Sequence, residues 1–138
     1  MRSMNKQDGA SFLFTLIIVG ILGYSVYIGL KLFPVYMEYQ SVVSSLDALA
    51  DEMKTKKLTK RQAWSLMTRK FDVNYIDPST FKPIATDARS KKNEVFIFET
   101  KKKSTRVGMV YEKRIPLIAN ISAVVEFDYV NEVEKPAK

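Results

Sequence analysis

The feature that most limits what this chain can fold into is a long run without charge near its start. Residues 9–30 contain no Asp, Glu, Lys or Arg, and Leu, Ile, Val and Phe dominate. As a helix rising about 1.5 Å per residue, the run is roughly 33 Å long, close to the hydrocarbon thickness of a bilayer, about 30 Å. A soluble core helix of that length usually carries a polar stripe, and this run has none. The sequence therefore predicts a helix that spans a membrane.

A cleavable export signal is the alternative interpretation of the same run. Such signals have an apolar region of about 7–15 residues, followed by a cleavage site between small residues. Here the run is longer and continues into Lys31, Pro34 and a further helical pattern. We therefore expect the segment to stay in the protein as an anchor.

Basic residues beside the run predict its orientation. Arg2 and Lys6 precede it, whereas only Lys31 follows it closely. Basic residues near a span favour the cytoplasmic side, so the remainder of the chain is expected in the periplasm of a bacterium, beyond the inner membrane. The expected organisation is a short cytoplasmic N-terminus at 1–8, a transmembrane helix at 9–33, a periplasmic α+β domain at 34–131 and a flexible tail at 132–138.

Two sets of residues in and beside the span are candidates for contacts. Small residues let two membrane helices approach closely, although glycine is also common in such helices without any contact. The candidates for helix–helix contact are Gly20, Gly23, Ser25 and Gly29. Aromatic and basic side chains prefer the edge of a bilayer. The expected membrane-interface anchors are Lys31, Phe33, Tyr36 and Tyr39.

Beyond Pro34, which is expected to bend the helix or to start a new one, apolar residues recur with helical spacing. This apolar stripe consists of Val35, Tyr39, Val42, Leu46, Leu49 and Met53, widened by Val43 and Ala50. The opposite side is polar, with Glu38, Gln40, Ser44, Ser45, Asp47 and Asp51. The stripe covers either the domain's own sheet or a partner helix, and its roughly two heptads are fewer than a coiled coil needs.

A short second helix is expected at about 60–70, with Trp64, Met67 and Phe71 on its buried side. Thr59 and Gln62 have the spacing of a capping box at its start. Basic residues precede this helix and recur in a later turn. These basic surface candidates are Lys54, Lys56, Lys57, Lys60 and Arg61, then Lys101, Lys102, Lys103 and Arg106. They are either solvated surface or contacts with an acidic partner.

The remaining residues have the pattern of short strands. We expect one at 73–76, then two antiparallel strands in NEVFIFET and RVGMVYEKRIPL, with Gly108 as a candidate bulge. ANISAVVEFDYV alternates, with Ile121, Ala123, Val125, Phe127 and Tyr129 on one face. The predicted fold class is α+β: a transmembrane helix continuing into an amphipathic helix, a short second helix, and a small antiparallel three- to four-stranded β-meander.

The composition excludes several common kinds of catalytic site. The 138 residues include no Cys and no His, which rules out thiolate or imidazole metal sites, disulfides and Ser-His-Asp triads. The pairs Ser90–Lys91 and Lys103–Ser104 lie in polar turns that do not suit a lysine base. We therefore expect no enzyme, no metal and no cofactor. The net charge of +7 favours acidic neighbours, but nucleic acid is not expected across the membrane.

The chain resembles two known groups of proteins. A basic leader ending at Gly9, an apolar helix that becomes amphipathic and a small sheet are similar to type IV pilins and pseudopilins. Pilins carry a glutamate five residues after the cleavage-site glycine, where this chain has Phe14, and an aromatic residue or methionine directly after it, where this chain has Ala10.

A closer resemblance, over nearly the whole chain, is to small single-pass bacterial envelope proteins of the domain of unknown function 4845 family. The motifs are YIGLKLFPVYMEYQSVVSSL at 27–46, TRKFDVNYID at 68–77 and VYEKRIPLIANISAVVEFD at 110–128. The resemblance implies an inner-membrane protein with a periplasmic domain and no catalytic residues. Genes of this family commonly lie beside that of signal peptidase I, which implies a role in export or envelope maintenance.

The expected function is therefore that of a non-enzymatic envelope protein. Its expected partners are the membrane and another inner-membrane or periplasmic protein, or a second copy of itself. A pilin-like subunit of a filament or secretion system is the alternative.

Overall fold

The computed structural model describes residues 8–84 and 94–136. The elements are helix α1 (Asp8–Thr55), helix α2 (Lys60–Val73), a 3-10 turn (Pro78–Thr80) and strands β1 (Phe96–Thr100), β2 (Ser104–Ile118) and β3 (Ile121–Glu134). The chain divides into two units, Met1–Pro34 and Val35–Lys138. A long first helix, a short second helix and an antiparallel sheet confirm the expected α+β fold class.

Helix α1 begins in the uncharged run and stays helical through Pro34. Proline lacks an N–H, so one helical hydrogen bond is missing there while the bonds on either side continue. No new helix starts at Pro34, and that alternative is wrong.

The apolar stripe after Pro34 forms part of the core of the second unit. Val42, Leu46 and Leu49 are fully buried in one cluster with residues of α2 and the sheet. The interpretation that the stripe covers the domain's own sheet is therefore confirmed, and the stripe is not available to a partner helix. Ser45 was expected on the polar side but is buried; its hydroxyl donates to the Ser41 carbonyl at 2.7 Å, which satisfies it.

Helix α2 begins at the expected capping box. The Thr59 hydroxyl accepts from the Gln62 N–H, while the Gln62 side chain accepts from the Thr59 N–H at 3.0 Å. Met67 and Phe71 are fully buried, as the spacing predicts, because residues four apart lie on one face of a helix. Trp64 lies at the edge of the core and is only half-buried.

The expected strand at 73–76 is wrong, because α2 ends there in a Schellman motif. The Ile76 N–H donates to the Phe71 carbonyl at 2.9 Å, and the Tyr75 N–H donates to the Asp72 carbonyl at 3.3 Å. Tyr75 occupies the left-handed position of this motif, with φ 55°, where glycine is usual. Ile76 and Phe71 are both buried, so the motif turns the chain back into the core.

The sheet of the described residues has three antiparallel strands in the order β1-β2-β3. Four residues on its inner face belong to the core: Phe96, Val107, Met109 and Tyr111. The centres of the Tyr111 and Phe81 rings are 4.2 Å apart. Both helices contribute to this same cluster, so they cover one face of the sheet. Lys82 forms an isolated bridge with Glu112, which extends the pairing of β2 beyond the start of β1.

Gly108 is not a bulge, contrary to expectation. It pairs in register with Ile97 in β1 and Val130 in β3. A Cβ atom at this position would lie 2.5 Å from the Tyr129 carbonyl oxygen, so glycine is needed for the close approach of β3. The register irregularity lies instead between Pro116 and Ile118, where proline has no N–H to donate to the ladder.

Strand β3 alternates as predicted and is longer than predicted. Phe127 and Tyr129 are half-buried and face α1, whereas Glu126 and Asp128 are exposed. The strand continues to Glu134, so residues 132–134 are paired with β2 and do not belong to a flexible tail, which corrects that boundary. Val133 is 3% exposed, because the alternation of β3 continues into this segment.

Replacing Tyr75 by glycine tests the strained end of α2. Tyr75 is 98% exposed, so Tyr75→Gly removes little packing and relieves the left-handed strain. We expect the free energy of unfolding to rise by about 1 kcal/mol. The measurement is chemical unfolding of the full chain in detergent. Arg69→Gly, inside α2, is the matched control and should lower the free energy of unfolding by up to about 1 kcal/mol. A similar decrease for Tyr75→Gly would contradict the left-handed conformation of Tyr75 in the Schellman motif.

Candidate functional site

The surface of α1 in the first unit is apolar and exposed. Phe12, Leu22 and Leu30 are 70%, 60% and 71% exposed, and they are typical of the described side chains before Pro34. The most apolar stretch of this helix has a mean hydropathy of 2.2, and none of it is buried. By length and composition, the helix could cross a membrane.

The four candidates for helix–helix contact lie on open helix surface. A methyl group added at Gly20, Gly23 or Gly29 would meet no atom within 4 Å. The Ser25 hydroxyl donates to the Ile21 carbonyl at 2.9 Å, which satisfies it within the helix. These positions leave room for the close approach of a second helix.

The expected interface anchors fall into the two units. Lys31 in the first unit lies with its amine 5.8 Å from the centre of the Tyr27 ring, and Phe33 is 62% exposed. In the second unit Tyr36 is exposed, whereas Tyr39 stacks on Phe127 at 4.6 Å. Tyr39 therefore also contributes to the packing of α1 against β3.

The structure brings two groups of basic residues together at one end of the second unit. Lys56 and Lys57, just after α1, line a cavity of about 240 Å³ that Thr105 of β2 and Lys135 also line. The Lys135 N–H donates to the Lys103 carbonyl at 3.0 Å, which joins the end of β3 to the β1–β2 turn. We call this the lysine surface: Lys56, Lys57, Lys101, Lys102, Lys103 and Lys135.

Carboxylates neutralise only part of the lysine surface. Lys101 pairs with Glu132 at 3.2 Å, and Glu134 borders the cavity. Within residues 8–84 and 94–136, Lys56 and Lys57 form no ion pair. Lys135 was missed at the sequence level because it was assigned to the tail; the signal that would have found it is the alternation of β3 up to Val133.

The other basic candidates lie elsewhere or are paired. Lys54 pairs with Asp51 at 2.8 Å, Lys60 with Glu94, and Arg106 with Glu99 at 3.4 Å. Lys60 and Arg61 border an open groove of about 640 Å³ lined by Trp64, Pro78, Val95 and Phe96. The Trp64 and Phe96 rings are 5.3 Å apart. The sequence placed Trp64 in the core and gave no signal for this groove.

The described residues contain no group of His, Cys, Asp and Glu that could hold a metal ion. The Ser104 hydroxyl, one member of a considered Ser–Lys pair, donates to Glu132 at 2.5 Å. This bond, together with the bond from Lys101, lowers the pKa of the Glu132 carboxyl. The other pair, Ser90–Lys91, lies outside the described residues.

Buried and half-buried polar groups hold α1 against the sheet. Glu38 forms an ion pair with Lys113 of β2, and both side chains are largely buried, at 19% and 22% exposure. The Tyr129 hydroxyl donates to Asp47 at 2.6 Å, which raises the pKa of Tyr129. Burial, with a smaller contribution from the charge of Glu38, raises the pKa of Tyr111.

A protein-family model, described as "Domain of unknown function (DUF4845)", matches residues 31–127. The chain belongs to this family. The DUF4845 match begins at Lys31 and ends at Phe127, so it covers both helices of the folded unit, β1, β2 and half of β3. Gly20, Gly23, Ser25 and Gly29 precede the match. No curated protein and no solved structure matches the chain significantly.

The raised pKa of Tyr111 predicts a loss of stability in alkali. An unfolded tyrosine ionises at about pH 10, whereas burial raises the pKa of Tyr111, which keeps its proton to higher pH. The folded state therefore binds more protons than the unfolded state above about pH 10, so the free energy of unfolding falls as the pH rises there.

Tyr111→Phe removes this contribution, and we expect its stability to fall less than that of the wild type between about pH 9 and about pH 11. Urea unfolding of the full chain in detergent at the two pH values measures the difference. The pKa of Tyr129 is also raised, so Tyr129 still contributes to the pH dependence in the variant. The loss of unfolding free energy is therefore smaller than in the wild type but not zero. If the free energy of unfolding decreased equally in the wild type and in Tyr111→Phe, ionisation of Tyr111 would not be the cause of the alkaline loss of stability.

Proposed function

We propose that this DUF4845 protein is a single-pass protein of the bacterial inner membrane that acts through contacts with other envelope proteins and catalyses no reaction. The observation that carries the proposal is the exposed apolar surface of α1 before Pro34. Moving apolar area from water into hydrocarbon is favourable by about 25 cal/mol per Å². Permanent insertion of this helix is therefore the arrangement of lowest free energy.

The folded unit lies in the periplasm under this proposal. Arg2 and Lys6 precede the span and Lys31 follows it, and the side with more nearby basic residues stays cytoplasmic. A role in envelope maintenance or export is the form of this function that the family resemblance supports.

The lysine surface is the contact region for a protein partner with an acidic face. The lysine surface carries excess positive charge, and three of its lysines line the cavity, so it attracts carboxylates of a second protein. Because salt screens charges, such contacts become weaker as the ionic strength rises. Gly20, Gly23, Ser25 and Gly29 supply a second contact region inside the bilayer, for another membrane helix or for a second copy.

Topology and membrane residence are the first test. The full chain with alkaline phosphatase fused after Lys138 should give an active enzyme in the periplasm, and carbonate washing should leave the chain in the membrane pellet. Activity of a cytoplasmic reporter at the same junction, or release by carbonate, would contradict the proposal.

The N-terminus of the purified protein separates the anchor from the alternatives. Mass spectrometry should find residues 9–30 in the mature chain. A methylated N-terminus at Ala10 would instead identify a pilin-like subunit, and loss of the whole run would identify a cleaved signal.

Charge reversal tests the lysine surface. Lys56→Glu combined with Lys57→Glu should deplete the proteins that co-purify with the full chain from its native membranes, because both lysines border the cavity. Lys82→Glu, an exposed lysine outside this surface, is the matched control and should leave the set unchanged. Recovery of the same proteins with both variants would exclude the lysine surface as the contact region.

A further inference from the structure

The turn between β2 and β3 carries exposed apolar side chains. We call residues 116–121 the hairpin tip; Ile118 and Ile121 within it are 48% and 62% exposed, and nearby Val124 is 46% exposed. Ile118 and Ile121 are register partners, so their side chains lie on the same face. Large apolar side chains at a turn are unusual, because turns normally carry polar residues and lie in water.

The hairpin tip is at the end of the folded unit where the unit begins. Met53, late in α1, lines one cavity with Thr105 and Val133, whereas Glu38, early in the second unit, pairs with Lys113. Strand β2 therefore runs antiparallel to α1. Its last residues therefore lie at the same end of the unit as Val35, the first residue of the unit.

Strand β2 also projects beyond the first residue of the unit. From Lys113 to Ile118 an extended strand advances about 17 Å, at about 3.4 Å per residue. From Glu38 back to Val35 the helix covers only about 4.5 Å. The hairpin tip therefore extends roughly a dozen ångströms beyond the level of Val35.

Charge is distributed unevenly along the hairpin. No carboxylate occurs between Lys113 and Val125, and Arg114 is exposed. The carboxylates of β3 begin at Glu126, near the middle of the strand, and continue toward the opposite end of the unit with Asp128, Glu132 and Glu134. An acid-free apolar tip with a basic residue beside it complements an anionic lipid surface.

We propose that the hairpin tip inserts Ile118 and Ile121 into the headgroup–acyl boundary of the membrane, with Arg114 beside lipid phosphates. The inference rests on the proposed membrane span, because Val35 is bonded to Pro34 and the bilayer surface is then close to the end of the unit that carries the tip. The folded unit is thus held to the bilayer at two points, the covalent span and the hairpin tip.

The absence of cysteine from the chain allows a direct test with single-cysteine variants. The full chain is reconstituted into vesicles of phosphatidylethanolamine and phosphatidylglycerol, with a polarity-sensitive fluorophore on the cysteine. Ile121→Cys and Ile118→Cys probe the tip, and Lys102→Cys, on the other hairpin turn of the sheet, is the matched control. Leu16→Cys probes the span.

Blue-shifted emission at residues 121 and 118, quenched most strongly by lipids carrying a nitroxide near the headgroup, is the expected result, with no such change at residue 102. Labels at 121 and 118 that stay in water while Leu16→Cys is quenched by a nitroxide deep in the bilayer would overturn the hairpin inference and leave the span intact. An unquenched label at residue 16 would overturn the proposed span, and the hairpin inference with it. Shielding of residue 121 only when other membrane proteins are added would assign the tip to a protein partner and overturn the lipid assignment.

Discussion

The apolar surface of α1 before Pro34 is the constraint on which the rest of the account depends. Residues 11–30 have no polar stripe, and all of them are exposed except Tyr27 and Ile28, which are half-buried. The core cluster of the folded unit consists of residues from the later part of α1, from α2, from the segment after α2 and from the sheet. The two parts of α1 therefore have different surfaces. The first part is apolar and exposed, as a membrane-spanning helix would be, and the later part carries an apolar stripe that is buried in the core of the folded unit.

The two ends of the folded unit have different chemistry. The lysine surface lies where α1 ends and β2 begins, and the apolar hairpin tip lies where β2 ends. The ion pair of Glu38 with Lys113 and the bond from Tyr129 to Asp47 fix the register between α1 and the sheet that separates these ends. Under the proposed membrane span, this arrangement places the lysine surface at the end of the unit far from the bilayer, where it can contact an acidic protein.

The local features of the fold could be predicted from sequence because each has a local cause. The stripe containing Leu46 and Leu49 follows helical spacing, and Thr59 with Gln62 fixes the start of α2. The strand expected at Tyr75 was wrong because a tyrosine occupies the left-handed position where a glycine would have signalled the end of a helix. The candidate surfaces were less predictable. Lys57 and Lys135 line one cavity only because α1 packs on the sheet, and residue spacing in the sequence does not predict that packing.

Amide hydrogen exchange of the full chain in lipid nanodiscs tests the central claim most directly, because hydrocarbon excludes the water that exchange requires. The account predicts that the amides of residues 12–30 stay protected for as long as those of the buried β2 strand, while exposed α2 amides exchange sooner. Rapid exchange throughout residues 12–30, with β2 still protected, would show that the uncharged helix lies in water and would contradict the account.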